Sequence, residues 1–198
     1  YPKLKHPKQK LIKDLEDTKL NNISSLQLKD PFCIENLEEV CKYVLEELEK
    51  EFWGSYLFLD KVYIYRNLVT INKDKGSFLW HFDNHPNTLS KVMIYLTDVS
   101  KKTGAMSVYK SDDGDYYNFK TLPGLNKPFY HSRINKQTIE KITKNNNFAP
   151  FYLDGSQGTV VHFSENILHK ANGPQEKFRD VIVLQLKPSV SKMTLLNK

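Results

Sequence analysis

Cysteine is scarce in this chain, and long apolar runs are missing from it. Two cysteines, Cys33 and Cys41, among 198 residues cannot build a disulfide framework. No apolar stretch approaches the roughly 20 residues of a membrane-spanning helix, and no charged-then-apolar leader opens the sequence. We therefore expect a soluble, cytoplasmic protein with reduced thiols and no membrane partner.

Positively charged residues are in modest excess over negatively charged ones. The chain has 29 basic and 23 acidic residues, a net charge of +6 with neutral histidines. Such an excess suits an anionic partner, whether a metabolite, a nucleotide or a nucleic acid. Because the lysines are scattered rather than clustered, the charge alone favours none of these strongly. We expect a small-molecule substrate of anionic character and rank nucleic acid below it.

The length and the apolar content predict one globular domain over residues 1–198, because 39% of the residues are hydrophobic and 12% are aromatic. Within it we expect a helical support over 1–55 and a β-rich core over 56–187. A polar segment at 111–150 interrupts the strand pattern, as an insertion or lid does.

Helical spacing is confined mainly to the front of the chain. Residues 11–20 fit a short amphipathic helix, and apolar side chains recur at helical spacing over 34–52. Asp30-Pro31, or Asn36 with Glu39, supplies a start signal for the longer helix, and Gly54 supplies a stop. A shorter helix is predicted at 137–143.

Strand patterns separated by turn residues fill the rest of the chain. They lie at 56–59, 61–71, 77–82, 90–97, 105–109, 151–153, 159–163, 167–169 and 179–186. This order predicts a mainly β fold with N-terminal helices, in which two sheets form a jelly roll.

The strongest chemical signal is His81-Phe82-Asp83 at the end of the predicted strand 77–82. Side chains two apart in a strand point to the same face, so an imidazole and a carboxylate converge there. A third ligand is available in the stretch 158–174, which contains His162 and His169. Two histidines and one carboxylate with open coordination positions form the facial triad of non-haem Fe(II) oxygenases.

Other histidines compete for this role. His162 lies within an apolar strand pattern and suits a packed core histidine. His85 would extend the motif to a zinc-like H-x-D-x-H cluster, although Pro86 indicates that the strand has ended. His6 and His131 have no other ligand-type residues around them.

Arg179 opens the last apolar strand pattern, where an unpaired charge would be costly. A planar guanidinium at such a place fits a carboxylate in bidentate fashion. The alternative is a surface arginine paired with Asp180 or Glu176.

The residues His81-x-Asp83, His169 and Arg179, together with the stretches 91–99 and 104–111, resemble the Fe(II)/2-oxoglutarate-dependent dioxygenases, most closely the phytanoyl-CoA dioxygenase-like branch. The resemblance covers roughly residues 56–187. It implies a double-stranded β-helix of the cupin-like kind. It also favours His169 over His162, because the spacing from His162 to Arg179 is longer than the family uses.

By this resemblance His81, Asp83 and His169 would hold Fe(II), and Arg179 would bind the distal carboxylate of 2-oxoglutarate. The enzyme would consume O2, release succinate and CO2, and hydroxylate a small molecule, with no catalytic residue beyond the iron site. The presence of Asp83 favours hydroxylation, because related halogenases replace this carboxylate with a small residue.

Four aromatic residues are candidates for further contacts. Tyr95 would be a second contact to 2-oxoglutarate, and Trp80, Tyr63 and Tyr65 would line the substrate side, although core packing is the simpler explanation for aromatics at strand spacing.

Two other functions stay open. One is an oxygenase acting on protein or nucleic-acid side groups, although nucleic-acid demethylases usually carry a second arginine shortly after the first, and none follows Arg179 here. The other is a non-catalytic, cupin-like metal-binding protein.

Overall fold

The computed structural model describes residues 25–69, 76–118 and 132–192. The predicted helix at 11–20, His6 and His131 lie outside these ranges. The strands described are β1 Ser25–Gln27, β2 Tyr56–Asn67, β3 Ser90–Tyr95, β4 Met106–Ser111, β5 Phe148–Leu153, β6 Val160–Ser164, β7 His169–Lys170 and β8 Arg179–Ser189. The α-helices are α1 Leu37–Leu48 and α2 Lys136–Asn146, with a π-helical turn at Glu49–Trp53 and 3-10 turns at Pro31–Cys33 and Gly76–Phe78.

The strands form two antiparallel sheets, as the mainly β prediction requires. The larger sheet has the order β1-β2-β8-β3-β6, and the smaller has the order β5-β4-β7. Strands that are distant in sequence are neighbours in both sheets, which is the connectivity of a jelly roll. Alternate side chains of β3 and β8 therefore point either into the space between the sheets or outward.

Helix α1 covers the outer face of the larger sheet. Its buried residues Leu37, Val40, Cys41, Val44 and Leu45 recur at helical spacing. They share one apolar cluster with Val92, Ile94, Ile182 and Leu184 of the sheet. Each fully buried aliphatic side chain contributes about 1.5–3 kcal/mol, so this contact is a major part of the core.

The ends of α1 match the predicted signals. The Asp30 side chain accepts a hydrogen bond from the Phe32 amide at 3.1 Å and caps the 3-10 turn that precedes the helix. The helical path continues through the π-helical turn and ends at Gly54, whose φ of 62° is left-handed. The helix predicted over 34–52 is therefore confirmed, with its last turn widened.

Strand β2 merges two predicted strands. The patterns at 56–59 and 61–71 form a single strand that pairs with β8 along its whole length, and the register shifts between Leu59 and Lys61. An extra residue, Asp60, sits at this irregularity, which is the arrangement of a β-bulge. Sequence periodicity breaks at a bulge although the strand does not.

The segment 111–150 contributes helix α2, which extends the helix predicted at 137–143. The Asn135 side chain caps it by accepting from the Thr138 amide at 2.8 Å. Within the described part of the chain, no helix has both the length and the apolar character needed to cross a membrane.

Candidate metal centre

Two remote segments of backbone are joined at His81 and His169. The His81 amide donates to the His169 carbonyl at 2.9 Å, and the His169 amide donates to the His81 carbonyl at 3.0 Å. This reciprocal pair places the two imidazoles side by side, with ring centroids 4.3 Å apart. The segment 158–174 therefore does supply a histidine to the predicted pair.

The strand predicted at 77–82 is wrong. Residues Gly76–Phe78 form a 3-10 turn, and His81 makes isolated bridges only. The reason is that successive amides bond to different segments: Phe82 donates to the Ser132 carbonyl and Asp83 donates to the Glu165 carbonyl, both at 3.0 Å. The backbone is extended without a single partner strand, and Asn84, with φ of 58°, ends it.

The side chains of His81, Asp83 and His169 converge, with one ligand atom from each residue within 4.8 Å of those of the other two. Nε2 of His81 lies 3.6 Å from Oδ1 of Asp83, and Nε2 of His169 lies 3.6 Å from Oδ2. Two atoms that each bind one ion at about 2.1 Å can be at most about 4.2 Å apart, so both distances fit a shared ion.

Hydrogen bonds fix the tautomer of both imidazoles. Nδ1 of His81 lies 2.7 Å from the Leu79 carbonyl, and Nδ1 of His169 lies 2.8 Å from the Ile167 carbonyl. A carbonyl only accepts, so both Nδ1 atoms carry the proton and both Nε2 lone pairs face Asp83. This second layer of hydrogen bonds is typical of metal-binding histidines.

Burial and charge hold the three groups in the protonation states that a metal requires. Burial lowers the pKa of His81 to about 4 and also lowers the pKa of His169. Burial raises the pKa of Asp83, but His169 and Lys91 lower it more, so the pKa lies below its ordinary value. Neutral imidazoles and an ionised carboxylate are the forms that bind a divalent cation.

Lys91 lies against the carboxylate from strand β3. Its Nζ is 2.6 Å from Oδ2 of Asp83 and 3.7 Å from Oε1 of the buried Glu165. Burial lowers the pKa of Lys91, but Asp83 raises it more, so the pKa lies above its usual value. The ammonium thus orients Asp83 through one oxygen.

Arg179 is buried, with 2% of its surface exposed. Its Nε and Nη2 donate to Oδ1 of Asn67 at 3.2 and 2.8 Å, and its Nη1 donates to the Gly104 carbonyl. These bonds use three of the five guanidinium N–H groups, leaving one on each terminal nitrogen. The predicted alternative, a surface arginine paired with Asp180, is wrong, because Asp180 forms its ion pair with Arg66 at 2.7 Å.

A single cavity of about 220 Å³ is lined by the three converging side chains and by Arg179. Tyr63 and Tyr65 of β2 line it, as do Lys91 and Met93 of β3. The cavity therefore contains the predicted ligands, the predicted cation and two of the predicted aromatic residues.

The two remaining aromatic candidates lie outside the lining of this cavity. Tyr95 points to the same side of β3 as Met93, but its hydroxyl donates to the Leu153 carbonyl at 2.5 Å. Burial raises its pKa to about 12, so it stays a neutral phenol. Trp80 packs against Tyr109, with ring centroids 4.3 Å apart.

The competing histidines take other places. His162 lies on β6, where its ring packs edge-on against Phe52 at 4.7 Å, on the opposite face from the cavity lining of that strand. His85 contacts the Glu165 carboxylate through Nδ1. Neither is part of the converging group formed by the described residues.

Three polar side chains that contact or adjoin the charged groups of the site were not predicted from the sequence: Asn67, Lys91 and Glu165. Lys91 had a signal, since it alternates with Met93 and Tyr95 on an otherwise apolar strand face and so points inward. Asn67 and Glu165 had none, because their partners lie far away in sequence and no local spacing relates them.

No family model matches the chain, and no curated protein matches it. Among solved structures, AviO1 from Streptomyces viridochromogenes Tue57 superimposes with a TM-score of 0.60 at 14% identity, over 94% of this chain and 83% of that one. The epimerase SnoN, in complex with Fe3+, alpha ketoglutarate and nogalamycin RO, gives a TM-score of 0.58 at 13% identity, over 91% of this chain and 72% of its own.

EctD from S. alaskensis, with 2-oxoglutarate and 5-hydroxyectoine, gives a TM-score of 0.55 at 13% identity. That match covers 87% of this chain but only 58% of EctD. At these identities the likeness concerns the fold. The predicted double-stranded β-helix is therefore confirmed, and the chain shares it with proteins whose structures contain iron and 2-oxoglutarate.

Proposed function

We propose that this protein is an Fe(II)- and 2-oxoglutarate-dependent dioxygenase that hydroxylates a small molecule and releases succinate and CO2. The observation that carries the proposal is the convergence of two imidazole Nε2 atoms and one carboxylate in the same cavity as a buried guanidinium. An Fe(II) ion bound there would supply the activation of O2 and the oxidation of both substrates.

The donor set fits this ion. His81 and His169 present neutral Nε2 atoms, and Asp83 presents an ionised oxygen, while the backbone pairing between the histidines holds the set in place. Three ligands from one side leave coordination positions open for a chelating co-substrate. Lys91, bound to Oδ2, keeps the carboxylate from turning away.

Arg179 fits the far end of 2-oxoglutarate. Among the described residues no carboxylate lies within ion-pair distance of its guanidinium, and one N–H on each terminal nitrogen is unused. A buried cation without an anion is unfavourable by several kcal/mol, so a dicarboxylate entering this cavity would relieve that cost. Two parallel N–H···O bonds would fix its orientation.

Residues 132–134 of the segment 111–150 take part in building the site, in keeping with a role of this segment as the substrate-side cover. The Ile134 amide donates to the Trp80 carbonyl at 2.9 Å, and Ser132 accepts from Phe82. These bonds brace the extended backbone that carries His81 and Asp83. We propose that the whole chain acts as one domain, with this segment and Tyr63 and Tyr65 facing the primary substrate.

The first experiment is an anaerobic titration of the protein with Fe(II) and 2-oxoglutarate. We expect the weak visible charge-transfer band of the chelate, followed by succinate release when O2 is admitted. Asp83→Ala should lose both. The matched control is Asp60→Ala, since Asp60 also pairs with a lysine, Lys187 at 2.7 Å, but lies outside the cavity.

A band in wild type with no succinate in any substrate screen would instead indicate a metal-binding protein without this activity. The absence of a band in folded wild-type protein would contradict the proposal, and loss of the band in Asp60→Ala as well as Asp83→Ala would show that the loss is not specific to the cavity. If Arg179→Gln needs the same concentration of 2-oxoglutarate as wild type, Arg179 does not bind the co-substrate. The assignment of the metal ligands would be unaffected by that result.

A further inference from the structure

A second cavity, of about 390 Å³, lies around strand β6. Among the described strands, β6 is an edge strand of the larger sheet. Phe52 and Trp53 of the π-helical turn and His162 line the cavity from the outer face of the sheet. Phe163 and Leu153 line it from the inner face. It is larger than the cavity of the metal centre, and Phe163 is the wall between the two.

Three buried polar atoms of the described residues that line it have no hydrogen-bond partner. They are Nε1 of Trp53, Oγ of Ser90 and Nε2 of His162. Ser90 is almost completely buried, with 2% of its surface exposed. Unpartnered buried polar atoms are rare in folded proteins because each loses its bonds to water, so three on one cavity indicate a site that binds a polar molecule.

Among the residues that the structure describes, none with a charged side chain lines this cavity. Besides the residues already named, the lining consists of Asn87, Leu89, Tyr116, Val161, Ser164 and Ile167. His162 is neutral at physiological pH, because burial lowers its pKa. An ionic ligand would have no counter-charge here and would lose its hydration, so the cavity suits a neutral one.

The aromatic residues indicate the shape of the ligand. The π-helical turn places Phe52 and Trp53 next to each other over His162, with ring centroids 4.7 and 6.4 Å from the imidazole. Phe52 is 68% exposed, so this wall is open to an incoming molecule. Aromatic walls favour a flat or cyclic apolar body, and π-helical turns are frequent at functional sites.

We propose that this cavity binds a neutral ring compound that carries hydroxyl or carbonyl groups. All three polar atoms are buried in this structure, so binding requires small rotations of these side chains. The Trp53 indole N–H then donates to an oxygen of the ligand, and the Ser90 hydroxyl and His162 Nε2 exchange hydrogen bonds with its hydroxyl groups. The proposal does not depend on metal binding or on turnover at His81, Asp83 and His169.

The test uses the metal-free protein and three probes that share one ring system: naphthalenediol, naphthalene and naphthoate. We expect saturable binding of the diol by isothermal titration, and at least about tenfold weaker binding of naphthalene and of naphthoate. A crystal soaked with the diol should show its oxygens at Trp53, Ser90 and His162.

Two variants separate a binding role from a structural one. Ser90→Ala removes an unpartnered hydroxyl, so it should leave the melting temperature unchanged or raise it while weakening diol binding about fivefold or more. Trp53→Phe should keep the aromatic wall and lose the indole donor. Asp83→Ala should bind the diol as wild type does, which makes this result independent of the metal centre.

Ordered water alone at the three polar atoms in the soaked crystal would overturn the proposal. So would equal binding of the diol by wild type, Ser90→Ala and Trp53→Phe, or a preference for naphthoate over the diol.

Discussion

At the scale of single residues, the hydrogen-bond acceptors around Arg179 decide what its guanidinium can bind in the candidate metal cavity. Asn67 occupies two N–H groups with a neutral oxygen, and the Gly104 carbonyl occupies a third. Neutral acceptors hold the guanidinium in place without cancelling its charge. Burial lowers the pKa of Arg179, but a guanidinium keeps its proton in proteins. The charge is therefore left for a ligand.

This predicts that two substitutions at Asn67 weaken 2-oxoglutarate binding to different extents. Asn67→Asp places a carboxylate on the guanidinium and should weaken 2-oxoglutarate binding by about tenfold or more. A tenfold change in the dissociation constant corresponds to only about 1.4 kcal/mol of binding free energy. Asn67→Ala leaves the charge available and should cost less affinity, but lower the free energy of unfolding by about 1–3 kcal/mol. Anaerobic titration of the iron-loaded protein and urea unfolding measure the two quantities.

Wild-type affinity in Asn67→Asp would contradict the role given to Arg179. If Asn67→Ala lost more affinity than Asn67→Asp, the position of the Arg179 guanidinium, and not its uncompensated charge, would control 2-oxoglutarate binding.

His162 predicts a pH dependence of stability. Its pKa in the folded protein is lowered by burial, so below about pH 6.5 the unfolded chain binds more protons than the folded one. The free energy of unfolding should therefore fall as the pH drops from 7 to 5. His162→Gln should show a smaller fall, measured by urea unfolding of the metal-free protein.

His81 and His169 change stability in the same direction, but they do so equally in both proteins, so the difference isolates His162. Identical pH dependence in wild type and His162→Gln would show that this imidazole does not resist protonation.

At the scale of elements, the turn before β4 is shaped by Gly104. Its φ is 91°, and a Cβ added there would lie 2.6 Å from the Asn172 carbonyl oxygen and 2.9 Å from the Pro174 nitrogen. Both are backbone atoms, which cannot turn aside as a side chain does. The Gly104 carbonyl accepts a hydrogen bond from Arg179, so the conformation of the turn and the position of the guanidinium depend on each other.

Gly104→Ala should lower the free energy of unfolding by about 3 kcal/mol or more, through left-handed backbone strain and steric overlap together. Gly54→Ala is the matched control, since its φ is 62° but nothing lies within 4 Å of the added Cβ, and it should cost only about 1–2 kcal/mol. Urea unfolding compares them, and equal losses would show that the overlap is relieved without cost.

The elements were predictable wherever local periodicity and burial agree. Helix α1 packs against one sheet, and strands β3 and β8 pair with the same neighbouring strands along their length. Their sequence patterns therefore predicted the elements correctly. The segment 77–82 misled because its aromatic residues meet several different partners rather than one sheet. Strand β2 was divided because the bulge at Asp60 interrupts the alternation.

At the scale of the whole molecule, binding of a metal should stabilise the fold. An ion at about 100 times its dissociation constant contributes about 2.7 kcal/mol. For a chain of this size that corresponds to a rise in melting temperature of about 5–10 °C. Differential scanning fluorimetry with Fe(II) under anaerobic conditions should show this rise in wild type and Asp60→Ala.

Asp83→Ala should show no rise, because a site with two neutral imidazoles and no carboxylate binds the ion far less well. An equal rise in Asp83→Ala would place the ion elsewhere on the molecule.

The convergence of His81, Asp83 and His169 in one cavity with Arg179 was predictable, because few other roles require these residue types in that order. The residues around them were not. Asn67 meets Arg179 across 112 positions of sequence, and the Arg66 and Asp180 pair spans 114. Such partners are set by sheet register, which emerges only when the whole chain has folded.

The two backbone hydrogen bonds between His81 and His169 mean that the polypeptide itself holds the two histidines together. An ion that bound there would meet two imidazoles already held at the spacing it needs, so these two ligands would not have to be brought together on binding. Removal of a bound ion by a chelator should therefore leave the two imidazoles in place. The protein should then rebind the ion repeatedly without unfolding.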